Sequence, residues 1–206
     1  MTNATLYNYT TFDGHRRIAT GSLPANALAL KRALEAGAAG PVLVFDDNTG
    51  RSIDLDTSGT EAAVLERTAE RAAQLESRRQ PDGENDEAAD VAGPRGRGRP
   101  KLGVVSREVT LLPRHWEWLA AQPGGASVAL RKLVEQARRD NADKDRSRLA
   151  SERAYHFMVA IAGDLPGFEA ATRALFAGDV AGFAQQVAAW PVDVREHALR
   201  LADSNA

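Results

Sequence analysis

At 206 residues, with 26 Lys and Arg against 28 Asp and Glu, the chain has room for one or two small domains and is close to neutral overall. It has no cysteine, which excludes disulfides, thiolate-bound metals and a cysteine nucleophile. No apolar run approaches the roughly 20 residues of a membrane span, and no basic stretch followed by an apolar one opens the chain, so a cytoplasmic protein without a signal peptide is expected.

Residues 1–75 read as an α+β unit of order ββαββα. Leu6–Phe12 has the composition of a strand, Asp13-Gly14 of a hairpin turn, and Arg17–Thr20 of the returning strand. A helix is predicted over Ala25–Ala36, with Leu28, Leu30 and Leu34 as core and Gly37 as its stop. Pro41–Phe45 reads as a buried strand, Asp46–Gly50 as a turn, and Arg51–Leu55 as the fourth strand. Thr60 is a candidate cap for a helix over 61–74. The expected arrangement is a four-stranded sheet with helices on one face.

Residues 76–93 are rich in Glu, Asp, Pro, Gly and Asn and almost free of large apolar side chains, so a disordered acidic linker is expected. The charge then changes sign. Residues 1–90 carry nine basic and fifteen acidic residues, residues 91–148 thirteen and six, and residues 149–206 four and seven. A basic middle between acidic ends is the footprint of a nucleic-acid contact confined to the middle.

The basic stretch opens with Arg95, Arg97, Arg99 and Lys101, separated by Gly96, Gly98 and Pro100. Glycine adds no bulk, and Pro100 biases Arg99 toward an extended backbone. Such a segment suits the narrow, strongly negative minor groove of A·T-rich DNA. Residues 94–103 resemble an AT-hook, which implies that these four cations reach into that groove.

Residues 104–139 follow as strand, helix, turn and helix. Val105, Val109 and Leu111 share one parity, and Ser106, Glu108 and Thr110 the other. Pro113 suits the first position of a helix that carries Trp116 and Leu119 on one face. Gln122–Ala126 breaks it, and Ser127 is a candidate N-cap for a second helix with Leu130, Leu133, Val134 and Ala137 at i, i+3, i+4 and i+7. The order resembles the ribbon-helix-helix DNA-binding domain. That resemblance implies a homodimer whose paired strands enter the major groove. The dimer core would be Val109, Leu111, Trp116, Leu119, Leu130, Leu133 and Val134. Ser106, Glu108 and Thr110, with Arg107 beside them, would face DNA, and amides near Ser127 would meet a phosphate. Glu108 departs from the family's usual polar or basic choice and would repel phosphate.

Residues 140–206 are expected as a helical domain. Residues 140–148 alternate acid and base as a solvated helix face does. Helices are predicted over Leu149–Ala162, Phe168–Phe176, Val180–Ala189 and Val192–Ala202. The four histidines, His15, His115, His156 and His197, never fall within one helical turn of each other, so no metal pair is suggested. Asp46, Asp47, Asp54 and Asp56 lack calcium-loop spacing and read as turn residues. No nucleophile elbow or phosphate-binding loop appears, so neither an enzyme nor a cofactor is expected. Tyr9–Arg17, Gly98–Gly103, Pro113–Trp118 and Ala162–Gly167 resemble a family of uncharacterised bacterial proteins, domain of unknown function 2239, a likeness that brings no activity with it.

Two functions are compatible with these features. One is a dimeric DNA-binding protein, a transcriptional regulator or nucleoid-associated factor with a preference for A·T-rich sites. The other is a non-enzymatic interaction module that keeps the ribbon-helix-helix core only for dimerisation. No small-molecule ligand is identified by the sequence.

Overall fold

A computed structural model describes residues 8–38, 40–79 and 107–204. The described residues hold four strands and seven helices. They fall into two compact units, one of residues up to Ala72 together with those from Arg139 onward, the other Ala73–Arg138. The strands are β1 (Tyr9–Asp13), β2 (Arg16–Gly21), β3 (Val42–Asp46) and β4 (Arg51–Ile53). The helices are α1 (Leu23–Glu35), α2 (Glu61–Arg79), α3 (Pro113–Ala120), α4 (Gly125–Ile161), α5 (Phe168–Ala177), α6 (Val180–Gln186) and α7 (Val192–Ala202). The α+β character and the ββαββα order of the first part are as the sequence predicts.

The sheet has the order β2-β1-β3-β4 and is antiparallel throughout. Gly14 turns the first hairpin at φ +55°, where a side chain would be strained. Helix α1 begins two residues ahead of the expected Ala25, because Ser22 Oγ accepts from the Ala25 amide and proline occupies the first turn.

Helices cover both faces of this sheet, where the sequence suggested one. Tyr9 and Val44 pack with Leu23 and Leu30 of α1, and Ala72 of α2 joins them. Phe12 and Phe45, on the alternate parity, point the other way into Phe157 and Met158 of α4, Leu175 of α5, Phe183 of α6, and Val194 and Leu201 of α7. Phe45 meets Phe157 edge-on at 4.9 Å and Phe12 at 6.0 Å, the arrangement favoured by aromatic quadrupoles. The segment 140–206, read from sequence as a helical domain of its own, therefore shares one core with the sheet.

Three boundaries also differ from expectation. Helix α4 runs without interruption from Gly125 to Ile161, through the expected boundary at 139/140. Nearly every side chain between Arg131 and Leu149 is exposed. Ion pairs along the helix support it there: Arg138–Glu135 at 3.4 Å, Arg146–Asp143, and Arg148 to both Asp145 at 3.4 Å and Glu152 at 3.3 Å. Each exposed pair contributes only about 0.3–0.5 kcal/mol, but several on a stretch without Gly or Pro suffice to carry the helix across. Helix α2 continues to Arg79, into the segment expected as linker. The remainder of that linker, residues 80–93, and the AT-hook-like residues 94–103 lie outside the described residues.

The contact between the β3–β4 turn and α4 sets a local constraint. Gly50 has φ +66°, and a Cβ there would overlap the carbonyl oxygen of Arg153. Two main chains meet at this point, so no flexible side chain is able to give way. Gly50→Ala is expected to destabilise the protein by about 3 kcal/mol, combining overpacking with a left-handed alanine. Urea unfolding of the variant checks this, and an unchanged midpoint would contradict the packing described.

Candidate functional site

The segment expected to bind DNA is half within the described residues. Helices α3 and α4 fall where the sequence predicts two helices separated by a turn, although α4 is far longer than expected. Pro113 opens α3 after an extended Leu112, and Gly124 and Gly125, at φ +87° and +73°, turn the chain into α4. Ser127 lies inside the first turn of α4 and is not its cap, because the helix already begins at Gly125. Residues 107–112 form no strand among the described residues. A single ribbon strand has no ladder without a second strand to pair with, and nothing described here supplies one. Arg107, Glu108 and Thr110 are exposed, as are Ser127, Arg131, Lys132, Arg138 and Arg139. Arg95, Arg97, Arg99, Lys101 and Ser106 lie outside the described residues.

The apolar residues assigned to a dimer core divide in an informative way. Leu119 is buried within the single chain, and Leu111 and Leu130 are half-buried. Val109, Trp116, Leu133 and Val134 remain 56 %, 41 %, 47 % and 57 % exposed. Leu130, Leu133 and Val134 recur at i, i+3 and i+4, so they lie along one face of α4. Fully burying each of the exposed side chains is worth about 1.5–3 kcal/mol.

A second constellation, which the sequence did not single out, lies in the first unit. Asp47 directly follows β3, and its amide donates to Asn8 O at 3.0 Å. Its Oδ2 accepts from Thr10 Oγ1 at 3.0 Å and from Arg200 Nη2 at 2.8 Å. Its Oδ1 lies 3.3 Å from His197 Nε2, out of line for a hydrogen bond. Arg200 Nη2 also lies 2.9 Å from His197 Nδ1. An arginine only donates, so Nδ1 must be the accepting nitrogen, and the imidazole is neutral with its proton on Nε2, facing Asp47. The rings of Phe157 at 4.5 Å and Phe12 at 5.4 Å enclose it. Thr10 and His197 are wholly buried and Asp47 nearly so.

This cluster acts as a structural joint. It ties β1, the end of β3 and α7 together with charge-assisted bonds in a dry setting. Its Asp47, Thr10 and His197 side chains are buried, and Arg200 reaches it from the surface. Among the described residues, no three His, Cys, Asp or Glu side chains are grouped to hold a metal ion. His156, on α4, has a similar task nearer the surface, with Nδ1 donating to Thr49 O at 3.0 Å and Nε2 accepting from Arg51 at 3.0 Å. A signal for His197 was present in the sequence: Val194, His197, Ala198 and Leu201 share the apolar face of α7.

Burial holds the His197 imidazole below its ordinary pKa of 6.5, the nearby Asp47 opposing that shift and Arg200 and Arg17 adding to it. In the unfolded chain the group returns to about 6.5. The folded form thus binds the proton less readily, so this contribution to stability is complete above pH 6.5 and is lost as pH falls toward the lower folded value. Unfolding free energy, measured in urea, is expected to decline as pH falls below about 6.5. His197→Gln should lower stability at pH 8 and flatten that decline; an unaltered slope would assign it to other groups.

No helix among the described residues is long and apolar enough to cross a membrane. Neither a curated protein nor a solved structure matches the chain. Residues 8–202 match the family model described as "Uncharacterized protein conserved in bacteria (DUF2239)", a span that takes in the sheet, the α3–α4 pair and the C-terminal helices, and the chain belongs to that family.

Proposed function

We propose that this protein is a dimeric DNA-binding protein, a transcriptional regulator or nucleoid-associated factor. In this reading two copies of residues 104–112 pair as an antiparallel ribbon in the major groove, and the arginines of 95–99 follow the minor groove. The observation that carries it is the exposure of Val109 ahead of α3, Trp116 on α3, and Leu133 and Val134 on α4. A second copy would cover these residues and give each lone strand its ladder. The exposed cations Arg131, Lys132, Arg138 and Arg139 on α4 support a polyanionic partner.

Glu108 favours a second reading. It is exposed within the ribbon segment, and a carboxylate there opposes phosphate. In that reading the same dimer serves as an interaction module, with no DNA bound.

Val134→Glu separates dimerisation from folding. At an exposed site on a single chain it should change stability by no more than about 0.5 kcal/mol. At a dimer seam it should abolish the gel shift of duplex DNA that the unaltered protein produces. A variant that shifts DNA as well as the original protein would contradict the proposal.

The DNA contact itself is expected to weaken with salt at a log–log slope of about −4 to −5, from four to six neutralised phosphates. Joint replacement Arg97→Ala and Arg99→Ala should cost more affinity on A·T-rich than on G·C-rich duplex, as measured by titration. Equal loss on both would reduce the segment to a basic tether, and no binding by the original protein would leave the interaction module.

A further inference from the structure

Within residues 147–204 of the first unit, helices α4 to α7 leave a cavity of about 510 Å³. Leu175, Val180, Phe183 and Leu199 line it. Val180 stands at its mouth with 78 % of its surface exposed, although the same helix buries Phe183. Pockets of about 300–1,000 Å³ with apolar walls and a few polar groups are the usual form of small-molecule sites. The polar groups here are one-sided. Asp179 and Asp203 lie on the lining, and no Lys, Arg or His does.

Asp179 is exposed and caps α6, its Oδ1 accepting from the Gly182 amide at 2.8 Å. Asp203 is near Arg153, which offsets part of its charge but donates to main-chain carbonyls at the end of α7. A carboxylate or phosphate entering the cavity would meet two acids and no balancing cation on the lining. An ammonium would meet the reverse, with its apolar body among Leu175, Phe183 and Leu199.

We propose that this cavity binds a small amphipathic cation, an aromatic or alkyl body carrying one ammonium group that pairs with Asp179. The site stands independently of DNA binding, because all its residues lie in the first unit, on the C-terminal half of α4 and from α5 onward, outside residues 104–139.

Isothermal titration calorimetry of the full chain with 1-naphthylmethylammonium and with 2-naphthalenesulfonate tests the inference. The two share a ring system and differ in the sign of charge. The cation is expected to bind at least about tenfold more tightly, an exposed to partly desolvated charge pair being sufficient for that. Asp179→Asn keeps the helix cap, since asparagine caps as well as aspartate. It should lower affinity for the cation several-fold, raise rather than lower that for the sulfonate, and melt at the temperature of the original protein. Equal affinity for the two compounds, no heat with either, or an Asp179→Asn variant that binds the cation unchanged would each overturn the proposal.

Discussion

The central strands β1 and β3 are buried on both faces, and most of the fold follows from that. A strand covered on one side only shows water every second residue, whereas Tyr9, Thr10, Thr11 and Phe12 are all buried. Helix α1 closes one face. The other requires a second apolar layer, and the chain supplies it only after residue 139, through the C-terminal half of α4 and α5 to α7. The sheet and the C-terminal helices thus fold as one unit although about seventy residues separate them.

Burial of β1 on both faces creates a polar problem that its threonines solve in opposite directions. Thr11 faces α1 and donates to Asn26 Oδ1 at 2.7 Å, while Asn26 donates back to Tyr9 O at 3.0 Å. Thr10 faces the C-terminal layer and donates to Asp47, which also holds Arg200. Both of these buried hydroxyls have a partner, as the cost of leaving one unpaired demands. His197 sits against this second pair as a neutral ring in an aromatic pocket. The same layer that hides it makes the core sensitive to acid.

The four strands and their two hairpins were legible because their signals are local: Asp13-Gly14 and Asp46–Gly50 are turn chemistry, and Phe45 ends an apolar run. The second layer was not legible, because the partners that let Thr10 and Thr11 be buried, Asn26, Asp47 and Arg200, are distant in sequence. The continuity of α4 was hidden for a different reason. Its middle carries charges of both signs, read as a solvated helix face, but no apolar stripe that would join it to the helices on either side, and local ion pairs rather than packing hold it. Within the candidate DNA site, the α3–turn–α4 pair and its apolar spacing were readable from Pro113, the Gly124-Gly125 pair and the 130–133–134 row. The start of α4 was not, since Ser127 is a stronger capping residue by type than Gly124, which in fact precedes the helix.

The function rests on what covers Val109, Trp116, Leu133 and Val134. Exposed side chains of this size are a cost that a second copy of the chain would remove in the proposed dimer. Sedimentation equilibrium of the unaltered protein at micromolar concentration addresses this most directly. The account predicts a species of twice the 22.1 kDa chain mass. A species of single-chain mass across that range would contradict it.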